Sequence, residues 1–326
     1  MRVAPPLQNT KTDAAINGAI AMDHAILIAV PTYRRPIQLE RLLNAIATLD
    51  VSFDVRVLVA DNDAQGREGE AVVSRRRAEG YRFPLEAIVV EGKGLCFVRN
   101  ALFAHALETD RFTHLAMIDD DEWPDRDWLS ALVETQIKTG ADVIAGPVVS
   151  VFDVDPPRWI SQCLLFQPES RPEGLCDIVW GSNNVLVSRL RLEKTTSPWF
   201  DTTFNTTGGE DSDFFSRLKA EGCRFGWAPR ARIWESVPID RAQISWIMHR
   251  ARRIGTTDVH IKLKRSRSVA ERSAIMLKDC ASLVVNTLLL PLLLPIPRQR
   301  ADAIFHLTKS FGKIYGYYGG MVHEYR

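Results

Sequence analysis

No Gly-x-Gly-x-x-Gly stretch opens a helix after the first apolar run of this sequence, and no Gly-x-x-x-x-Gly-Lys-Ser/Thr occurs anywhere. Both are backbone cradles for phosphate, so their absence argues against a dinucleotide fold or a P-loop, and any nucleotide is held by another scheme. Cysteine is sparse and scattered. Cys96, Cys163, Cys176, Cys223 and Cys280 are odd in number and contain no C-x-x-C pair. That argues against a disulfide framework or a zinc site and suits a reducing cytosol. A dominant charge is missing too: 41 Lys and Arg face 40 Asp and Glu, a formal net charge of +1, so no global field calls for nucleic acid. The opening MRVAPPLQNTKTDAAINGAIAMDHA has no basic region leading into an unbroken apolar segment, and residues 1–23 read as a loose tail rather than a signal peptide. There is no internal repeat and no low-complexity run.

What is present is ordinary globular material. The 326 residues are 46% hydrophobic and 25% charged, enough chain for one large or two intimate domains. Apolar runs alternate with helical periods. AILIAVPTY predicts a strand, followed by a helix in RPIQLERLLNAIATLD with apolar spacing at Leu39, Leu42, Leu43 and Ile46 and Pro36 in its first turn. DVRVLVADND, LEAIVVEG, HLAMIDDD and DVIAGPVVSV predict further strands. REGEAVVSRRRAEG, GLCFVRNALFAHALE and RDWLSALVETQIKTG predict the helices between them, closed by Gly80 and Gly140 at two ends. This alternation points to an α/β fold, a mostly parallel sheet flanked by helices.

Ligands of such sheets collect at the carboxyl ends of the strands. Three predicted ends are polar: Pro31-Thr32-Tyr33-Arg34, Asp61-Asn62-Asp63 and Asp119-Asp120-Asp121-Glu122. Four acids in a row repel one another, so the last run needs a reason to exist. Mg²⁺ or Mn²⁺ takes hard oxygen ligands, one or two carboxylates plus phosphate oxygens. In an extended strand end, residues two apart point the same way, so Asp119 and Asp121 share one metal site while Asp120 turns to a ribose or sugar hydroxyl. The competing reading is a solvated acidic turn that caps the helix near Trp128.

A second acidic pair lies in NTTGGEDSDFFSRL. Gly208 and Gly209 allow a tight approach to a ligand, and Glu210 and Asp211 then start a helix with Phe214, Phe215 and Leu218 on its apolar side. Acids at a helix N-terminus suit both dipole capping and general-base chemistry, and spacing alone does not separate the two. Farther on, residues 241–272 are basic, and SLVVNTLLLPLLLPIPR at 282–298 is apolar, interrupted by Asn286, Thr287 and Pro291. Its uninterrupted core is too short to cross a bilayer as a straight helix, which favours an interfacial anchor over a buried helical hairpin.

The ordered set VPTYRRP, VADND, GLCFVRNAL, AMIDDDEWP, GSNNVLVSR and TGGEDSDFFSRL resembles the family 2 glycosyltransferases of the GT-A fold, over about residues 24–255. More loosely, WIMHRARRIG, the proline-broken apolar segment and YGYYGGMVHEY are similar to bacterial glucosyltransferases that build succinoglycan-type exopolysaccharides. The resemblance implies a nucleotide-sugar-binding half at 24–125, an acceptor half at 126–235 and a helical, membrane-associating extension at 236–326. It implies Pro31, Thr32 and Arg34 lining the nucleotide pocket, Asp61 bonding the uracil, and Arg99 and Asn100 beneath the nucleotide. Asp119–Asp121 match a D-x-D element, with Asp121 first choice as direct ligand of Mn²⁺ or Mg²⁺. Asp211 matches the general base with Glu210 beside it, Asn183 belongs to the sugar or acceptor floor, and Arg250 and Arg253 steady the diphosphate. Relatives often carry a histidine as a further metal ligand; here the comparable place holds Glu235, with His249 the nearest histidine.

The implied reaction is inverting transfer of a hexose from a UDP-sugar to a saccharide on a polyprenyl diphosphate, at the cytoplasmic face of a bacterial inner membrane. The rival readings are a metal-dependent nucleotidyltransferase and a non-catalytic sugar-binding module.

Overall fold

The computed structural model describes residues 24–109 and 111–323; the expected tail at 1–23 lies outside the described residues. Strands β1 (Ala25–Thr32), β2 (Asp54–Asp61), β3 (Leu85–Val89) and β4 (His114–Met117) pair in parallel. The sheet continues through β6 (Val143–Ala145), β8 (Gly174–Cys176), β9 (Val185–Ser188) and β10 (Phe225–Trp227) in the order β3-β2-β1-β4-β9-β6-β10-β8. Only β9 and β8 run against the rest. A smaller sheet, β5 (Glu122–Pro124), β11 (Ile233–Val237) and β7 (Val148–Phe152), stands beside it with β11 in the middle.

The pleat sorts β1 into two cores. Ile26, Ile28 and Val30 meet α1 (Pro36–Ile46), α2 (Glu68–Ala78) and α4 (Trp128–Thr139), while Leu27 and Ala29 meet α3 (Leu95–Thr109) and α7 (Glu210–Ala220). Helices on both faces explain why the strand is apolar from Ala25 to Pro31 and does not alternate. The spacing expectation for α1 holds, since Leu39, Leu42, Leu43 and Ile46 are its buried residues.

One expected strand divides. DVIAGPVVSV forms β6 and β7, which belong to different sheets. Gly146 and Pro147 lie at the break, and a proline cannot donate to a central ladder.

After β11 come α8 (Ile244–Arg265), α9 (Val269–Leu293) and α10 (Pro297–Tyr317). A third core joins Ile247 and Ala251 of α8 and Ala301 and Phe305 of α10 to Ile160 of the short helix α5 (Arg158–Ser161) and to Cys163 and Phe166 just after it. Helices α8 and α10 touch backbone to backbone: a Cβ on Gly312 would lie 2.2 Å from the Arg252 carbonyl oxygen, and one on Gly255 the same distance from that of Lys309. The remaining short helix, α6 (Arg189–Lys194), follows β9 and is capped by the Ser188 hydroxyl.

Two expectations about α9 are corrected. Pro291 does not break the helix, which runs through it to Leu293. The proline sits in the last turn, where it forfeits one intrahelical bond, to the Thr287 carbonyl, without ending the helix, and the chain turns only around Pro295. The helix is also longer than the apolar run suggested, because its first turns are polar. At 25 residues it is the one described helix long and apolar enough to cross a bilayer by length and composition. Leu277, Val284, Leu288 and Leu292 are exposed, and Asp279, its one buried residue, pairs with Lys313 and Tyr317 of α10.

Candidate active site

A single buried guanidinium joins the two acidic stretches. Arg99, on the first turns of α3 and 2% exposed, donates from Nη1 to Glu210 Oε1 at 2.8 Å and to Asp211 Oδ1 at 2.7 Å. Its Nη2 reaches Asp119 Oδ1 at 3.3 Å. These acids come from the loop after β4 and from the N-terminus of α7. The bend into α7 needs Gly208 and Gly209 at φ 67° and 96°, where a side chain would be strained. Burial pushes the Glu210 carboxyl up to about 7; neighbouring Asp211 adds to this and Arg99 opposes it. The Ser182 hydroxyl donates to the same Asp211 Oδ1 at 2.6 Å. Among the described residues Asp211 Oδ2 takes no hydrogen bond, and the side chain keeps 23% of its surface exposed. That leaves a partly exposed carboxylate on a fixed support, with one oxygen not engaged.

The run Asp119–Asp121 is not extended. Strand β4 stops at Met117, and Glu122 N–H bonds back to the Asp119 carbonyl at 3.2 Å, which makes a turn. The two-residue alternation therefore fails: Asp120 and Asp121, not Asp119 and Asp121, share a partner. Arg35 Nη1 lies 3.0 Å from Asp120 Oδ1 and 2.8 Å from Asp121 Oδ2, and Asp120 also accepts from the Thr32 hydroxyl at 2.8 Å. Arg41 holds the turn by donating to the Asp121 carbonyl at 2.8 Å and lies over the Trp123 ring.

Glu122, given no role of its own within the acidic run, is 1% exposed and accepts from the Asp119 N–H at 2.9 Å and from Asn183. Burial, then Asp119 and Glu235, raise its pKa well above the ordinary range. Glu235 stands opposite Glu122 in the β5–β11 register; burial and then Asp121 push it up to about 7, against Arg241 and Arg250. His249 is engaged elsewhere, with its Nε2 3.2 Å from the His323 carbonyl oxygen. Of the two residues left open by the sequence, Glu235 is the one beside the aspartates.

Other candidates divide. Arg34, at φ 53°, pairs with Asp63 at 2.9 Å and stays exposed. Asp61 is fully buried, with Oδ1 accepting from the Asp63 N–H at 2.9 Å and Oδ2 from that of Glu70 at 3.0 Å. As placed it orders the loop into α2, and contact with a base rests on the resemblance alone. Asn100 does not join Arg99: it bonds both backbone groups of Phe200, at 2.7 and 3.0 Å. Consecutive helix residues project about 100° apart, and here the Asn100 side chain turns to the Phe200 backbone while Arg99 turns to the acids. Arg253 is 6% exposed and donates to the Thr207 carbonyl at 3.1 Å, directly beneath Gly208. Here it supports the loop that carries Glu210. Arg250 lies over the Trp246 ring. Pro31 continues β1 opposite Ala60 of β2.

Among the described residues no three acidic, histidine or cysteine side chains form a ready cation cage. The donor set still fits a hard divalent cation. It is all carboxylate oxygen, and a positive guanidinium nitrogen already lies within hydrogen-bond distance of both Asp120 and Asp121. Phosphate oxygens would complete the shell.

Comparison with known proteins decides the family. Residues 27–194 match the family described as glycosyl transferase family 2. The chain belongs to that family. This family 2 glycosyltransferase is 30% identical over 259 residues to the succinoglycan biosynthesis protein ExoM of Rhizobium meliloti (strain 1021), covering 78% of this chain and 81% of that one. It is 23% identical over 231 residues to the chondroitin synthase of Pasteurella multocida (strain Pm70), covering 61% of this chain but 23% of that one. Among solved structures it resembles the mannosyltransferase PcManGT of Pyrobaculum calidifontis, in complex with GDP-Man and Mn²⁺, with a TM-score of 0.58 at 16% identity over 90% of this chain and 87% of that one. The 1–349 fragment of S. aureus TarS gives 0.50 at 15% identity, over 91% and 92%. The solved structures speak for the fold alone, and that fold is GT-A. The expected glycosyltransferase activity and architecture hold.

Proposed function

We propose that this enzyme transfers a hexose, glucose as first choice, from a UDP-sugar to a polyprenyl-diphosphate-linked saccharide in surface polysaccharide synthesis, with inversion. The observation that carries the reading is Arg99 holding Asp211 and Asp119 on one guanidinium. It supports a reading in which a proton acceptor stands beside the departing diphosphate. The similarity to ExoM supports the polysaccharide context. PcManGT, which holds GDP-Man and Mn²⁺ on this fold, supports a nucleotide-sugar donor and a divalent cation.

In this reading Asp119 and Asp121, with Glu235 alongside, would hold Mn²⁺ or Mg²⁺, and the cation would supply charge neutralisation for the leaving diphosphate. Arg35, which bridges Asp120 and Asp121, would have to release Asp121 for the cation. Pro31, Thr32 and Arg34 line the nucleotide pocket, and Arg250 faces the diphosphate with Arg253 behind it. Asp211 Oδ2 accepts the proton of the acceptor hydroxyl. The hydroxyl oxygen attacks the anomeric carbon opposite the diphosphate, and the C–O bond to that diphosphate breaks with both electrons leaving on oxygen. One displacement inverts the centre, and no side-chain nucleophile is used. Residues 24–235 make up the transferase unit and 236–326 bring it to the inner face of the inner membrane.

The deciding experiment incubates the protein with radiolabelled UDP-glucose, Mn²⁺ and a bacterial lipid extract. Label in the lipid phase with matching UDP release is the expected result. Release of pyrophosphate instead would establish a nucleotidyltransferase, and absence of any transfer across a panel of nucleotide sugars sinks the reading.

A further inference from the structure

In the loop before β9, three successive side chains reach three different parts of the site and its support. Asn184, 3% exposed, donates from Nδ2 to the Pro147 carbonyl at 3.0 Å and to the Ala231 carbonyl at 2.9 Å, and its Oδ1 accepts from the Trp128 indole N–H at 2.8 Å. Both amide hydrogens are engaged, so this residue anchors the loop on the core. Asn183 donates to Glu122, whose other carboxylate oxygen accepts from the Asp119 N–H. Ser182 is fully buried, and its hydroxyl donates to Asp211 Oδ1 at 2.6 Å. One anchored loop thus touches both the turn after β4 and the N-terminus of α7.

A buried hydroxyl needs a partner, and a backbone carbonyl would satisfy it as well as a carboxylate does. An aspartate carboxylate turns with little preference about its last bond, and in water its two oxygens are equivalent. On Asp211 they are not. Oδ1 takes the Ser182 hydroxyl and Arg99 Nη1, at 2.6 and 2.7 Å, whereas Oδ2 takes no hydrogen bond among the described residues. Two donors from different elements on one oxygen stop the rotation. They also engage the lone pairs of Oδ1, so the other oxygen is the one open to a proton. Arg99 divides itself, since the same Nη1 also serves Glu210 and its Nη2 serves Asp119. The single hydroxyl hydrogen of Ser182 goes to Asp211 alone.

We propose that Ser182 is a positioning residue for the proton transfer: with Arg99 it fixes the Asp211 carboxylate by Oδ1 and so keeps Oδ2 for the proton of the acceptor hydroxyl. This rests on the reading of Asp211 as the general base. In the step it serves, the acceptor O–H bond breaks and its proton moves to Oδ2. The electron pair left on the acceptor oxygen forms the bond to the anomeric carbon, and the old C–O bond leaves with its electrons on the diphosphate. Ser182 and Arg99 keep their protons throughout. Because Ser182 carries no charge, its contribution is orientation of the base, which is felt in turnover and not in donor binding.

A double-mutant cycle of wild type, Ser182→Ala, Asp211→Asn and the combined variant tests this, with radiolabelled UDP-glucose, Mn²⁺ and the lipid extract as acceptor. Ser182→Ala should lower kcat about tenfold, the scale of a lost hydrogen bond to a charged group, and leave the UDP-glucose KM within about twofold. In the Asp211→Asn background, where no proton can be taken, adding Ser182→Ala should change kcat by less than about twofold, since the serine then has no base to orient. A serine that only supports the fold would give the same loss in both backgrounds. Equal losses, an unchanged kcat in Ser182→Ala, or a donor KM that moves with kcat each overturn the proposal while leaving Asp211 as the base. Full turnover by Asp211→Asn strikes the base reading itself, and absence of transfer by the wild type strikes the proposed function; either result removes the ground of this proposal as well.

Discussion

Arg99 carries more of the site than any acid it touches. Three carboxylates around one buried guanidinium balance only if their geometry is kept, and breaking a buried ionic set by removing one member is costly. Asp211→Asn keeps the shape and the contacts to Arg99 and Ser182 but cannot take a proton. Turnover should fall about 10²-fold or more while UDP-sugar binding survives, measured as separate kcat and donor Kd values. A variant with lost donor binding and normal turnover would move Asp211 out of the base role. At the turn, Asp121→Ala should weaken Mn²⁺ binding by the protein alone. Arg35→Gln should strengthen it, because the cation that occupies the aspartates has gone. Calorimetric titration with MnCl₂ separates the two, and equal affinities in both variants would mean that Arg35 does not guard the site.

Glu210 makes a pH prediction. Its folded pKa, about 7, lies above that of a solvated glutamate, so the folded state binds the extra proton between about 4.5 and 7. This group therefore lowers stability as pH rises through that window. Glu210→Gln should flatten the pH dependence of Tm between pH 5 and 8 relative to wild type, and superimposable profiles would remove the premise. The sequence showed Glu210 and Asp211 as equally fit for capping or catalysis. Arg99, from more than a hundred residues away, bonds both, and burial is what separates them, with Glu210 buried and Asp211 partly exposed.

At the level of elements, much was legible from local rules. The apolar spacing of α1, the aromatic face of α7 and Gly140 at the end of α4 follow from periodicity and capping. The split of β6 from β7 was visible only as Gly146-Pro147, and a short apolar run does not say which sheet each half joins. The close pairing of α8 with α10 was not legible either, since glycine in a helix is a cost until a partner backbone is known. Gly312→Ala should push α10 off the Arg252 carbonyl and destabilise the protein by about 1–3 kcal/mol, read as a lower denaturation midpoint. An unchanged midpoint would mean the crossing is looser than described.

On the scale of the molecule, α9 presents Leu277, Val284, Leu288 and Leu292 to solvent, while α10 lies against it and also packs on α8. A spanning α9 would draw Lys309 and Lys313 of α10 into hydrocarbon or tear α10 from the third core. Lying in the interface avoids both costs. Truncation near Lys278 is therefore a poor probe, because it deletes the core residues Ala301 and Phe305. Leu288→Asp/Leu292→Asp is the cleaner one. It should keep the fold and abolish sedimentation with phosphatidylglycerol vesicles at low salt. If the wild-type protein stays in the supernatant, this face serves something other than a membrane.

The sequence by itself determined the α/β alternation, the acidic stretches at the strand ends and the helix N-terminus, and the apolar C-terminal helix. These depend on neighbours within a turn or a strand, where side-chain period and backbone sterics act directly. Tertiary structure decided which charges meet: Arg99 with Asp119 and Asp211, Arg35 with Asp120 and Asp121, Glu122 with Glu235 across two strands. It also set Asn100 and Asp61 to structural bonds. A buried charge is settled by whatever partner the fold brings within about 3 Å, and no local pattern carries that distance.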